Sequence, residues 1–318
     1  VKLAPGAPGA KILAFGHYQP ANVVTNDDLA KTMDTNDEWI KSRVGIAERR
    51  LASPDETEID LAVHAGGKAL AASGLASADI DLVLVATCTM ESQIPNAAGR
   101  VATRLGIHAP GAFDVNAACA GFCYALAAAA DAIRAGSARN VLVIGTEKFS
   151  HWLDWNDRST AVIFADGAGA AVVGPSDVPR IGPVAWGSDG EKSDAIIVKD
   201  RNSFLHQEGQ TVFRWATTAL HPVAKDACDR AGIDPAELAA FVPHQANLRI
   251  IESIARKIGA DNAVIARDIV LAGNTSAASI PMALSRMIER GEVPSGGLAL
   301  LLGFGAGLTY AAQVVELP

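Results

Sequence analysis

Phe113-Asp-Val-Asn-Ala-Ala-Cys119-Ala-Gly-Phe122 passes from an apolar strand straight into an alanine-rich segment, with a cysteine at the join. From Ala118 to Ala135 the chain holds no proline and stops at Gly136, which predicts one helix of about five turns whose start lies at Cys119. A helix start offers unpaired backbone N–H groups and a positive partial charge, so a thiol there is expected to ionise more readily. The run of alanines predicts burial on all sides, with the sulfur at the floor of a pocket. The same cysteine also fits the role of a small buried hydrophobe, the commoner fate of free cysteine.

Composition narrows the choice. The 318 residues, 49% of them hydrophobic, suffice for one large core or two domains. A formal charge of -8 and a pI near 5.4 argue against nucleic acid as a partner. Residues 1–10 lack the pattern of a secretory signal and no membrane span is expected, so the protein is predicted to be cytoplasmic. Cys88, Cys119, Cys123 and Cys228 are too scattered for a disulfide framework or a zinc site, and no metal is expected.

Outward from the quoted stretch, buried strands alternate with helices. Lys11 to Tyr18 has strand character, and two short helices follow with Asn26 and Asn36 as N-caps. The second helix places Trp39 and Arg43 four apart on one face, either a Trp packed on its own helix or a platform for a flat anionic ligand. A helix from Ile59 to Ser73 precedes Asp81 to Thr87, a continuous apolar run typical of a strand buried on both faces. Another helix ends at Leu105, and Asn140 to Gly145 is a further strand. Thr160 to Gly174 reads as two strands joined at a glycine-bearing turn, and Pro175 to Asp194 as a crossover.

The C-terminal part of the chain repeats the first half. A strand from Ala239 to Val242, a Gly273-Asn-Thr-Ser entry into a helix ending near Gly291, and a strand from Gly297 to Gly303 mirror the earlier order. Cys119 precedes Gly145 by nearly the interval that separates Ser276 from Gly303. We therefore expect two pseudo-symmetric α/β halves, residues 1–174 and 175–318, with the Cys119 and Ser276 helices as counterparts. Such symmetry brings corresponding strand ends together, where open α/β sheets bind ligands. Cys119, Val242-Pro-His244-Gln-Ala-Asn247 and Gly273-Asn274-Thr-Ser converge there, giving a nucleophile and two hydrogen-bond donors.

Asn-Ala-Ala-Cys119-Ala-Gly-Phe, Pro-His244-Gln-Ala-Asn-Leu-Arg249, Gly-Asn274-Thr-Ser-Ala-Ala-Ser and Gly303-Phe-Gly-Ala-Gly-Leu-Thr together resemble the β-ketoacyl-[acyl carrier protein] synthase III family. The likeness runs from about Lys11 to the C-terminus. It implies the thiolase-like fold, a layered α-β-α-β-α sandwich, in a homodimer. It also implies a decarboxylative Claisen condensation between an acyl-CoA primer and malonyl-acyl carrier protein, with no cofactor. In that chemistry Cys119 takes the acyl group, the N–H groups of Cys119 and Ala306 form an oxyanion hole, and His244 and Asn274 steady the enolate.

The resemblance also gives Trp39, Arg43, Arg158 and Asn247 to CoA, with adenine between Trp39 and Arg158. It gives Ile94 and Phe304 to the acyl pocket, Ile94 reaching across the dimer. Arg214, Gln245, Arg249, Arg256 and Lys257 would form the carrier-docking surface; by composition alone the basic residues are a solvated helix face. Two departures stand out: Ala165 and Ala306 occupy positions where glycine is common. Ile94 replaces a large aromatic found in some acetyl-preferring members, which predicts room for a longer or branched primer. The segment from Ala195 to His206 is short for the family, which leaves the outer pocket wall open to several forms. Priming of a polyketide pathway uses the same chemistry, while a Cys-His-Asn thioester hydrolase or a non-catalytic acyl-CoA sensor are the rival functions.

Overall fold

Alternation of side chains along two sheets builds the molecule. The computed structural model describes residues 5–318. Strands β1 (Gly9–Tyr18), β2 (Leu82–Ala86), β3 (Gly111–Val115), β4 (Val141–Lys148) and β5 (Asp166–Ser176) form one sheet in the order β1-β5-β4-β2-β3. Strands β6 (Ala185–Ser188), β7 (Ala240–Pro243), β8 (Val264–Ile265), β9 (Leu298–Gly305) and β10 (Thr309–Glu316) form the other in the order β6-β10-β9-β7-β8. The two orders are the same, as are the directions: β2 runs parallel to β3 and β4, β7 runs parallel to β8 and β9, and the remaining pairs are antiparallel.

The helices that frame the sheets are α1 (Asp37–Val44), α2 (Glu58–Ser73), α3 (Ala97–Arg104), α4 (Gly121–Ala135), α5 (Gly209–Ala231), α6 (Leu248–Ile258) and α7 (Ser279–Glu289). On β4, Val141 and Val143 join the core layer of α4 and α7, whereas Leu142 and Ile144 pack on the opposite side, against α2. On β9, Ala299 and Leu301 join the same central layer as α4 and α7, whereas Leu300 and Leu302 face α5 and α6. The continuous apolar runs are thus strands covered on both sides, and α4 and α7 form the middle of an α-β-α-β-α sandwich. Ala118–Ala135 is long and apolar enough to cross a membrane, but it is this central helix with its leading turn and lies mostly inside the protein.

Several details depart from the sequence reading. Thr160 to Gly174 is not a pair of strands: a turn over 160–165 leads into the single strand β5. Its glycines permit close approach instead of a bend, since a Cβ on Gly169 would lie 2.6 Å from the backbone nitrogen of Met282 on α7. The segment from Pro175 to Asp194 contains the end of β5 and all of β6. Thr25, not Asn26, caps the first short helix, because the Asn26 side chain is buried and bonded to Asp37 and Ile46. Asn36 caps α1 as expected.

The α-helix after Cys119 begins at Gly121, and Cys119 sits before it in a 3-10 turn over Ala118–Ala120. The same turn recurs at Ser276–Ala278 ahead of α7, with positive φ at Ala118 (44°) and Ser276 (50°). Asn116 and Asn274 each accept a hydrogen bond from the backbone N–H two residues on, at 3.3 and 2.8 Å. The counterpart of Cys119 is therefore Ala277, one position beyond Ser276, and Asn116 is the counterpart of Asn274.

Paired glycines let each half's turn press into the other half's sheet. A Cβ on Gly145 of β4 would lie 2.3 Å from the Ala277 carbonyl oxygen, and one on Gly303 of β9 would lie 3.0 Å from Ala120 Cα. Gly145→Ala is expected to cost about 3 kcal/mol or more, because the obstacle is buried backbone that cannot swing aside. Urea denaturation checks it, as a fall in midpoint at unchanged slope.

Candidate active site

Three loops at corresponding strand ends meet over a cavity of about 970 Å³ lined by Cys119, His244, Asn274, Phe304 and Ala306. Cys119 is only 8% exposed. Backbone N–H groups of Cys119 and Ala306 and the Ser276 hydroxyl face its sulfur and favour the thiolate, yet burial outweighs them and pushes the thiol up to about 12. This corrects the expectation of a thiol acidified by a helix start. The α-helix begins two residues later, and loss of water costs the anion more than the local dipoles return. The resting residue is a thiol. Gly305 stands against it: a Cβ there would come within 2.7 Å of Cys119 Cβ.

His244 is buried and packs edge-on against Phe304, with ring centroids 5.2 Å apart. Ser279 at the start of α7 holds its ring. Ser279 Oγ accepts from Gln245 N–H at 3.2 Å and lies 2.7 Å from His244 Nδ1. With the serine hydrogen given to Nδ1, the ring proton sits on Nε2. Burial drives the imidazole down to about 3, so it stays a neutral donor throughout the working pH range. Asn274 is held by backbone bonds to Ile163 and Ala165, and its Oδ1 accepts from Ser276 N–H, which leaves Nδ2 for a ligand. Ala165 fits where glycine is common because Gly273 lies opposite: a Cβ on Gly273 would meet the Ala165 Cβ at 2.8 Å.

Trp39, Arg43, Arg158, Asn247, Arg214 and Arg249 line the cavity mouth. The Trp39 ring has Arg43 at 5.9 Å and Arg158 at 5.1 Å. Arg158 is tied there by Asp34, donating to its carbonyl at 2.6 Å and its carboxylate at 3.2 Å. Asn247 already caps α6 through Oδ1 and donates from Nδ2 to Arg43 O. Segment 195–206 supplies the outer wall through the short hairpin Ile196–Ile197 and His206–Gln207.

Gln245 is not a docking residue. It is 1% exposed, donates to the Pro243 and Ala266 carbonyls and accepts from Ile269 N–H, tying the end of β7 to the loop that carries Asn274. Arg256 and Lys257 lie exposed farther along α6, away from the cavity. Ile94 is 87% exposed on segment 88–95, outside its own chain's cavity.

Two residues were missed by sequence reading. Ser279 is one. The other is Glu147, fully buried beside the cavity floor in a strand read as ending at Gly145; the signal was the unbroken Gly-Thr-Glu-Lys continuation.

A duplicated five-layer α/β fold with a buried cysteine, a neutral histidine donor and an asparagine amide facing one cavity defines a thiolase-like condensing enzyme. Comparison with known proteins agrees. Models of 3-oxoacyl-[acyl-carrier-protein] synthase III and of its C-terminal region match residues 113–190 and 228–317. β-Ketoacyl-[acyl-carrier-protein] synthase III 4 of Streptomyces coelicolor is 58% identical over 98% of this chain and 99% of its own. The Streptomyces glaucescens synthase III is 47% identical over 100% and 99%. The priming β-ketosynthase of the R1128 polyketide pathway superimposes with a TM-score of 0.96 at 44% identity, covering 99% and 98% of the two chains. The Aquifex aeolicus synthase III gives 0.92 at 40% identity, covering 97% and 100%. The chain belongs to the β-ketoacyl-[acyl carrier protein] synthase III family and is a condensing acyltransferase.

Proposed function

We propose that this synthase starts chains by moving a short acyl group, longer than acetyl or branched, from CoA to Cys119 and then onto a malonyl unit carried by acyl carrier protein. Cys119 attacks the thioester carbonyl, and the N–H groups of Cys119 and Ala306 receive the tetrahedral oxyanion. CoA leaves. Decarboxylation of the malonyl unit places negative charge on its thioester oxygen, where His244 Nε2–H and Asn274 Nδ2–H donate. The carbanion attacks the acyl group and Cys119 departs. The cycle draws on no metal or cofactor.

Convergence of Cys119, His244 and Asn274 on one cavity carries the reading. CoA lies along Trp39, Arg43 and Asn247, with Arg158 closing on the base, and the carrier docks on Arg214, Arg249, Arg256 and Lys257, opposite in sign to an acidic partner. Ile94 and Phe113, 87% and 46% exposed on adjoining elements, support a homodimer in which Ile94 closes the partner's acyl pocket beside Phe304.

The primer is tested by condensation rates with acetyl-, butyryl- and isobutyryl-CoA. The four-carbon primers are expected to exceed acetyl by about tenfold or more, and Ile94→Phe to reverse the order, because a few methylenes in an apolar pocket carry that much discrimination. Preference for acetyl in both proteins would overturn the pocket assignment. Separate assays with fatty-acid and polyketide carriers then assign the pathway.

A further inference from the structure

Among the described residues, Glu147 of β4 is a fully buried carboxylate, bonded to the cavity-lining Cys88, that the condensation cycle leaves unused. No described cation pairs with it. Oε2 accepts from Thr89 Oγ1 at 2.7 Å, Cys88 N–H at 3.1 Å and Thr87 Oγ1 at 3.2 Å. Oε1 accepts from Ser276 Oγ at 3.0 Å and from Cys88 Sγ at 3.4 Å. The titratable groups facing it are thus the thiols of Cys88, from the loop after β2, and Cys119, from the turn before α4. The Asn274 loop brings only the neutral Ser276, and Lys148, next along β4, turns its ammonium away onto the carbonyls of Ser53, Pro54 and Glu56.

Ser276 joins the two functional groups. Its hydroxyl hydrogen is directed at Glu147, its oxygen lies 3.9 Å from Cys88 Sγ, and the same hydroxyl acts on the Cys119 thiol. The fold holds this position, because Ser276 opens the turn that mirrors the Cys119 turn, and the next residue of that turn, Ala277, is pressed into the first sheet at Gly145.

We infer that Cys119 and Glu147 share one proton through Ser276, making Glu147 the acceptor that a buried thiol needs. This rests on Cys119 being the nucleophile. The S–H bond breaks, its proton passes to Ser276 Oγ, and the serine's own hydrogen moves to Glu147 Oε1. A thiolate beside a neutral carboxyl replaces a thiol beside a carboxylate, with no change in net charge at the buried site. When Cys119 leaves the acyl group, the proton returns by the same route. Burial has already raised the Glu147 carboxyl to about 7, so near neutral pH it can both take and give a proton. His244 is the weaker acceptor, held neutral by burial and with Nδ1 engaged by Ser279.

Sharing has a signature in pH. While the pair holds two protons, below about pH 7, the thiolate fraction rises tenfold for each pH unit. Once the pair holds one, the fraction placed on sulfur is independent of pH until the second proton leaves. The test is the rate of Cys119 alkylation by iodoacetamide against pH, read by peptide mass. Wild type is expected to level off near pH 7 for about one pH unit or more. Glu147→Gln is expected to keep rising and to overtake it by about tenfold over that interval.

Ser276→Ala, which keeps the carboxylate but removes the hydroxyl donor to the thiolate, is expected to lower the level by about tenfold or more, and Ser276→Thr to restore it. If Glu147→Gln fails to fold by circular dichroism, the wild-type profile and the Ser276 pair decide. A wild-type rate that climbs without a break, a break that survives Glu147→Gln, or a Ser276→Ala rate equal to wild type would overturn the inference. Alkylation uses no acyl-CoA, so this outcome is independent of whether the condensation reading stands.

Discussion

Cys119→Ala is expected to form no acyl-enzyme and to lower condensation by about a thousandfold or more, the scale on which removal of a nucleophile acts. The substitution removes one atom from a buried site, so the fold should change little. Cys119 packs against Gly305 and the 3-10 turn, and the two backbone donors that face its sulfur, on Cys119 and Ala306, are still present in the variant. Acyl-CoA should therefore still bind, and a normal thermal transition together with retained CoA affinity would separate lost chemistry from lost structure. Cys88 lines the same cavity but is bonded to Glu147, and burial holds its thiol well above the usual range, so it should not substitute as nucleophile.

The second large effect divides the cycle into its two steps. His244→Ala and Asn274→Ala are each expected to slow condensation by about a hundredfold or more, the usual loss for one preorganised donor at a developing oxyanion. Acylation of Cys119 should continue in both, because the oxyanion of that step meets backbone N–H groups instead. The acyl-enzyme should then accumulate in the presence of malonyl-carrier protein. Because burial lowers His244 far below 6.5, it donates as the neutral imidazole, and condensation should not fall between pH 6 and 8 through its titration. Protonation is favoured in the unfolded chain below 6.5 but resisted in the native one down to about 3, so acid should cost stability through this residue before it costs charge at the site.

Most of the layering was legible because a strand covered on both faces has to be apolar at every position, as Leu82–Ala86 and Leu298–Gly305 are. Cys119, His244 and Asn274 were legible for a different reason: each stands in a polar or glycine-bearing break directly after a buried strand or beside a helix entry. The exact counterpart of Cys119 was not, because the positive φ at Ala118 and Ser276 that aligns the turns leaves no mark in residue type. Glu147 was missed because a charged residue reads as the end of a buried strand, whereas here hydroxyls, a thiol and a backbone N–H pair it in the interior. Gln245 was misplaced because sequence does not tell a side chain turned inward to bridge backbone groups from one turned out to a partner. Thr160–Gly174 was split in two because glycine marks both bends and close contacts, and α7 decides for contact.

The central claim is that an acyl group rests on Cys119 between two partners, and intact mass spectrometry tests it most directly. The protein is incubated briefly with butyryl-CoA and its mass recorded before and after addition of malonyl-carrier protein. The account requires a single acyl adduct, absent in Cys119→Ala, that disappears as the ketoacyl-carrier product accumulates. An adduct that persists in Cys119→Ala, or product formed with no adduct at any time, would contradict it.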